Sequence, residues 1–332
     1  MIPSYTAIGN TEAGAGLSNA FLMHVEALKT VADVQVFDFN QSGKVQGKSL
    51  YIHGLPAQIE QMFQQNPSLL ECQNNILYLT CESDTVGHKV QQISAHFDQL
   101  WCPSTFCQSV FQKSLSIPVK IIPHYVNDWS FRKKIKKPSL TYLSIFNSSS
   151  RILRKNPFLI IRGFKEAFGK STEHKLILKV TNCEQFLLKE LTLCSEGYDI
   201  AIITDFLDWQ SQKSLYHLAD WIISLHSGEG FGLVPLEALA CGTPSIATAW
   251  SGTEDFLIAD VNSLKVDYKL IAAEDDFFFG NWAEPSLNSF KETLIKSTDV
   301  DLLEFGENAF KTSLLHSFSD TVRLTKNAIC NS

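Results

Sequence analysis

A chain of 332 residues with 45% hydrophobic, 19% charged and 11% aromatic residues has the make-up of a folded protein, and its length suits two domains of roughly 150 residues each. A formal net charge of -7 argues against a protein that grips nucleic acid by neutralising many phosphates, so any polyanion contact has to be local. The eight cysteines form no CxxC pair and no zinc-ligand spacing, the N-terminus lacks the basic and apolar regions of a signal peptide, and no apolar run approaches the roughly 20 residues of a membrane span; the expectation is a cytoplasmic protein with reduced thiols.

In chain order, "YTAIG" reads as a strand, "NTEAGAG" as a glycine-bearing loop, and Leu17, Phe21, Val25 and Leu28 as one face of a helix, followed by the alternating strand "VQVFDF". Further strands are expected at 49–54, 75–80, 99–103 and 119–123, between helical stretches at 57–65, 88–97 and 105–115. The basic run "RKKIKK", Arg132 to Lys137, reads as a solvated linker, with contact to anionic lipid headgroups as the alternative. The alternation then restarts with "LTYLSIF", a helix from Pro157 to Phe168, "KLILKV", "IAIIT", a helix over 210–219 and "WIISL". Helices close the chain, one near 286–296 and one over 313–328 that feeds no strand. Strands alternating with helices imply an α/β fold, two doubly wound parallel-sheet halves.

The stretch "HSGEGFGLVPLEALACGTPSIATAW", 226–250, places glycines at the end of an apolar strand and two acids, Glu229 and Glu237, around a short helix with Pro235 in its first turn and closed by Gly242. Ligands in such sheets lie outside the strand carboxyl ends, where a helix N-terminus offers free N–H groups to an anion. A carboxylate accepts a pair of hydrogen bonds from vicinal hydroxyls, so two acids beside a phosphate site suit a sugar and a ribose. The competing reading is that Glu229 caps the helix and Glu237 is solvated.

The segment "EGFGLVPLEALACGTPSIAT" resembles the E-x7-E signature of retaining glycosyltransferases of family 4, whose GT-B architecture has two Rossmann-like domains facing a central cleft. "LTYLSIF" with "RKNPFLIIRGFKEAF", "YLTCESD", "LWCPSTFCQSVF", "IIPHYVN" and "NWAEPS" extend the likeness over most of the chain. The resemblance implies an acceptor-side domain over 1–130, a nucleotide-sugar domain over 139–312 and a crossover helix over 313–332 that packs back across both. It implies that Glu237 binds the ribose, that Glu229 holds the transferred sugar, and that Gly230, Phe231, Gly232 and Leu233 line the sugar and diphosphate pocket.

"RILRKNP" supplies positive charge before the helix at Pro157: Lys155 resembles the family's phosphate-binding lysine, while Arg151 and Arg154 compete for the place of an arginine that Ser148 to Ser150 displace. Gly14 and Gly16 match the family's first glycine loop. Glu82, Asp84 and His53 are the acceptor-side candidates, and Ser227 stands where relatives often carry arginine. The implied function is retaining transfer of a sugar from a UDP- or GDP-type donor to a hydroxyl of a glycan, lipid-linked or protein acceptor, without a metal and with no cofactor besides the donor. Membrane contact, where it occurs, is peripheral. The rivals are a non-catalytic GT-B subunit that binds a sugar or a partner protein, a nucleotide-sugar epimerase, and an NAD-dependent oxidoreductase built on Gly14, Gly16 and Asp38, whose pattern breaks at Asn19.

Overall fold

The computed structural model describes residues 2–12, 16–44, 49–126, 129–135, 137–170, 173–273 and 277–330. Gly14 lies outside them. The chain forms two compact units, one of residues 1–125, 272–282 and 316–332, the other of 126–271 and 283–315.

The first unit runs β1 (Ser4–Gly9), α1 (Gly16–Lys29), β2 (Asp33–Asp38), β3 (Leu50–His53), α2 (Pro56–Gln65), β4 (Ile76–Tyr78), β5 (Thr85–Val86), α3 (His88–Ser94), β6 (Gln99–Cys102), α4 (Thr105–Gln112) and β7 (Val119–Ile121). Its six-stranded sheet has the order β2-β1-β3-β4-β6-β7, with neighbours parallel. Side chains alternate between its faces: Ile8, Ile52, Leu77 and Leu100 pack on one, Ala7, Tyr51, Tyr78 and Trp101 on the other. A sheet covered on both sides needs apolar residues at successive positions, and these short strands have them.

The second unit follows with β8 (Thr141–Asn147), α5 (Pro157–Phe168), β9 (Lys175–Thr181), α6 (Gln185–Ser195), β10 (Ile200–Ile203), α7 (Trp209–Leu218), β11 (Trp221–Ser224), α8 (Leu233–Ala240), β12 (Ser245–Thr248) and β13 (Ser263–Val266). Its sheet order is β10-β9-β8-β11-β12-β13, again parallel. The strand order reverses between β8 and β11, so loops leaving these two neighbours diverge to opposite sides and open a crevice at their carboxyl ends. Then come β14 (Tyr268–Ala272), β15 (Phe278–Phe279), β16 (Asn281–Pro285), α9 (Leu287–Lys296), α10 (Leu302–Ser313) and α11 (Phe318–Cys330). Among the described residues no helix is long and apolar enough to cross a membrane.

Three expectations need correction. Residues 272–282 belong to the first unit, because Phe278–Phe279 pairs antiparallel with Thr85–Val86 and Asn281 is clasped by Asp84. The final helix begins at Phe318, where the Ser317 hydroxyl accepts from the Asp320 N–H, and it packs on α1 within the first unit rather than starting at residue 313. The run Arg132 to Lys137 is solvated only in part: Arg132 and Lys133 are exposed, but two of its lysines are anchored. Lys134 is buried, and its ammonium donates to the carbonyls of Tyr216 and His217 at 3.2 Å and to that of Ala219, while Lys137 pairs with Asp220 at 2.9 Å. The last turn of α7 exposes unpaired carbonyls at the negative end of its dipole, and a lysine there satisfies them.

Candidate functional site

The crevice between β8 and β11 is built by two loops. After β8 the chain passes Arg151, left-handed with φ 43°, into a 3-10 turn over Ile152–Lys155, and Asn156, also left-handed with φ 51°, turns it into α5 at Pro157. Asparagine tolerates that backbone, and its amide donates to the Leu225 carbonyl at 2.7 Å and lies 2.9 Å from the Ser227 hydroxyl, pinning the first loop to the second. The Ser227 N–H donates to the Arg154 carbonyl at 2.8 Å. Ser227 is therefore a buried joint between the loops.

After β11, residues 225–232 lie against a turn at Ser251–Asp255. The Glu229 N–H donates to the Ser251 hydroxyl at 3.0 Å, and the Gly252 N–H donates to the Glu229 carbonyl at 2.8 Å. A Cβ on Gly252 would sit 2.2 Å from the Gly230 carbonyl oxygen, so only glycine lets the two backbones meet. Gly232, at φ 96°, is the entry to α8. Phe231 turns its ring into the core against Phe256, 5.3 Å between centroids, which leaves its backbone to face the loop. His226 is wholly buried, its Nε2 3.0 Å from the Trp250 carbonyl oxygen and its Nδ1 3.0 Å from the Ser224 hydroxyl. Burial lowers its pKa to about 4, so it is a neutral strut.

The two loops bring Arg154, Lys155 and Glu229 together. The Lys155 ammonium donates to Glu229 Oε1, Arg154 lies 3.5 Å from the same oxygen, and the Arg154 guanidinium also donates to the Gly228 carbonyl. Burial alone would raise the Glu229 carboxyl, but the charges of Lys155 and then Arg154 hold it well below the usual carboxylate range. Arg154 is 3% exposed, whereas Arg151 stands in solvent. The buried arginine is thus the one that faces the second loop.

Glu237, on the fifth residue of α8, is 4% exposed. Its Oε2 accepts from the Tyr216 hydroxyl at 2.7 Å and lies 3.4 Å from the Gln212 amide, both on α7. Burial, with no cation to offset it, pushes this carboxyl up to about 7. The solvated reading of Glu237 fails on that burial. Tyr216, Gln212, Asn156, Ser251 and Gly252 were not singled out from sequence, and only Gly252, in "SGTED", carried a local signal.

In the first unit the sequence candidates fare differently. Asp84 accepts from the Asn281 backbone and side-chain N–H groups, both at 2.9 Å, so it is a structural clasp and not an open group. His53 is 1% exposed, enclosed by Phe21, His24, Tyr51 and Tyr78. Glu82 is half-buried after β4, and Gly16 is exposed at the start of α1. Asp38 accepts from the Thr11 N–H and hydroxyl at 2.9 Å and from the Asn40 N–H at 3.1 Å, which ties the carboxylate an NAD ribose would need into its own loops.

Two parallel six-stranded sheets, each flanked by helices, with the charged loops at the switch point of the second, define a GT-B fold. The chain superposes over 99% of its length on the sucrose-phosphate synthase of Thermosynechococcus elongatus, over 100% of that chain, with TM-score 0.76 and 13% identity. It matches HepE of Anabaena, solved in complex with UDP-glucose, over 99% and 100% of the two chains with TM-score 0.71 and 13% identity. A glycosyltransferase from Rickettsia africae matches over 99% and 98%, with TM-score 0.74 and 10% identity. Residues 128–273, which hold the whole constellation around Lys155, Glu229 and Glu237, match the model of the family described as glycosyl transferases group 1. A 52-residue stretch is 44% identical to a D-inositol 3-phosphate glycosyltransferase of Xylanimonas cellulosilytica, a match that spans 16% of this chain and 12% of that relative.

Proposed function

We propose that the protein is a retaining glycosyltransferase that moves a sugar from a nucleoside-diphosphate donor to an acceptor hydroxyl. The observation that carries this reading is the meeting of Lys155, Arg154 and Glu229 at the switch point of the second sheet, with the buried Glu237 on the following helix. Two preorganised cations stabilise negative charge as it grows on a departing diphosphate, in a site partly closed to water. Glu237 accepts hydrogen bonds from the donor ribose, and Glu229 from hydroxyls of the transferred sugar. The glycosidic bond breaks with its electron pair going to the diphosphate oxygen, the acceptor oxygen bonds to the anomeric carbon on the same face, and the acceptor proton passes to the departing diphosphate. The charge comes from side chains, so the reaction runs without a metal. The match to HepE, solved with UDP-glucose, makes UDP-sugars the first donors to try.

The test is release of UDP or GDP from a panel of nucleotide sugars with glycan and lipid-linked acceptors, with and without EDTA. Release that needs an acceptor and withstands EDTA is expected. Lys155→Ala should lower the single-turnover rate by about 100- to 1,000-fold, the usual effect of removing one preorganised charge. Donor binding without turnover would assign a binding subunit instead, and conversion of donor without acceptor an epimerase.

A further inference from the structure

Within that reading, we propose that Tyr216 and Gln212 are positioning residues for the donor ribose: by holding one oxygen of Glu237 they aim the other at the ribose hydroxyls. Neither residue belongs to a recognisable motif. They sit one turn apart on α7, and both donors converge on Glu237 Oε2. Oε1 makes no hydrogen bond among the described residues and, in a residue only 4% exposed, is not among the wholly buried unpartnered atoms, so the little that is open on Glu237 includes this oxygen. A carboxylate oxygen that is held open and has no donor of its own can accept from a pair of vicinal hydroxyls.

The arrangement at Tyr216 is specific. Its ring is wholly buried, 5.5 Å from the ring of Trp129, and its backbone carbonyl accepts from Lys134 and from the Thr243 hydroxyl. Those contacts fix the phenol without using its hydroxyl, whose partner is Glu237. The groups that face the Glu237 carboxyl are Tyr216 and Gln212 from α7 and Cys241 from the end of its own helix, with Lys134 and Lys213 acting on Cys241. None of the three that face it carries a positive charge. The two neutral donors are therefore what offsets burial, and without them the carboxyl keeps its proton to higher pH.

A protonated Glu237 is a poorer acceptor for two hydroxyls, so nucleotide affinity should rise with pH through the range in which this group loses its proton. The ribose is bound alike in the ground and transition states, so loss of the clamp should raise donor KM more than it lowers kcat.

The experiment is calorimetric titration of the full chain with UDP and GDP across pH 5.5 to 8.5, a range set by the ordinary spread of perturbed carboxyls around neutrality. Glu237→Gln supplies the baseline, because the diphosphate has a titration of its own. Tyr216→Phe keeps the buried ring and should weaken binding by about tenfold at neutral pH, the scale of one charge-assisted hydrogen bond, and move the midpoint upward. Gln212→Leu, at a half-buried position where folding is tolerant, should move it the same way by less. If Glu237→Gln weakens binding while Tyr216→Phe and Gln212→Leu leave both affinity and midpoint as in the wild type, the clamp is overturned and the ribose role of Glu237 stands. If Glu237→Gln itself binds UDP and GDP like the wild type, the ribose assignment falls and the clamp with it.

Discussion

At Glu229 two cations converge on one carboxylate oxygen, so on the proposed function part of the positive charge that would meet a diphosphate is already neutralised by the protein. On that reading a donor arriving with its own negative charge would compete with Glu229 for Lys155. The carboxylate would then be released to the hydroxyls of the sugar, which would couple recognition of the sugar to release of the lysine. The consequence differs from that of an ordinary buried ion pair, where removing one partner simply strands the other. Glu229→Gln should leave affinity for free UDP within about threefold of the wild type or tighten it, since the charge-assisted bond that Lys155 gives up to the ligand is no longer contested. Turnover should fall by about 100-fold, because a preorganised group beside the reacting sugar is gone. Calorimetry with UDP and single-turnover assays on the same preparation separate the two effects. A loss of UDP affinity as large as that of Glu237→Gln would show that Glu229 holds the nucleotide and not the sugar.

The elements of the site were legible where their chemistry is local. Pro157 at the start of α5, the glycines before α8 and the closure at Gly242 are all written within a few residues of the turns they make, and the helix over Pro157–Phe168 is found as expected. Tyr216 and Gln212 were hidden because they reach Glu237 from a separate helix, 21 and 25 residues away in sequence, and no spacing rule spans that distance. The clasp of Asp84 on Asn281 was hidden for the same reason, at 197 residues. Lys134 was misread because a charge run ordinarily signals solvent, whereas here α7 ends on three carbonyls that need a donor. The contact between the loop at Gly230 and the turn at Gly252 gives a direct test of element packing. Gly252→Ala puts a methyl 2.2 Å from a backbone oxygen, so one of the two backbones must shift. Destabilisation of about 2–4 kcal/mol is expected, together with loss of turnover, because Glu229 moves with the loop. A melting temperature and rate matching the wild type would mean the two turns yield freely and do not set the site.

Acid acts on the buried histidines of the first unit in one direction and on the second unit in two. The first unit buries His24, His53 and His124 side by side, with His124 Nδ1 3.2 Å from His24 Nε2, His24 Nδ1 3.1 Å from the Tyr51 hydroxyl, and both nitrogens of His53 without a hydrogen-bond partner. Burial holds all three below the usual imidazole range, His124 at about 3, and the rings disfavour one another's charge. A histidine whose folded pKa is depressed contributes stability above its unfolded value of 6.5, and that stability is lost as pH falls below it, by about 1.4 kcal/mol per pH unit for each ring that stays neutral. In the second unit Glu237 works the other way. Its folded pKa is raised to about 7, so its contribution is complete below the unfolded value and declines as pH rises through 7. Between pH 7 and 5 the first unit should therefore weaken, while in the second Glu237 and the buried His226, whose pKa is lowered to about 4, oppose one another. Denaturant unfolding at these two pH values, followed by probes in each unit, should show the first transition move to lower denaturant on acidification. His53→Phe replaces a ring whose nitrogens satisfy nothing, in a pocket lined by Phe21, Tyr51 and Tyr78. It should make the pH slope of the first transition shallower by one imidazole's share, about 1.4 kcal/mol per unit below 6.5. The slope is the decisive quantity, because a change in packing shifts stability equally at both pH values. A slope in His53→Phe equal to that of the wild type would show that His53 takes up its proton as readily in the folded chain as in the unfolded one, and acid sensitivity would then have to arise from His24 and His124 alone.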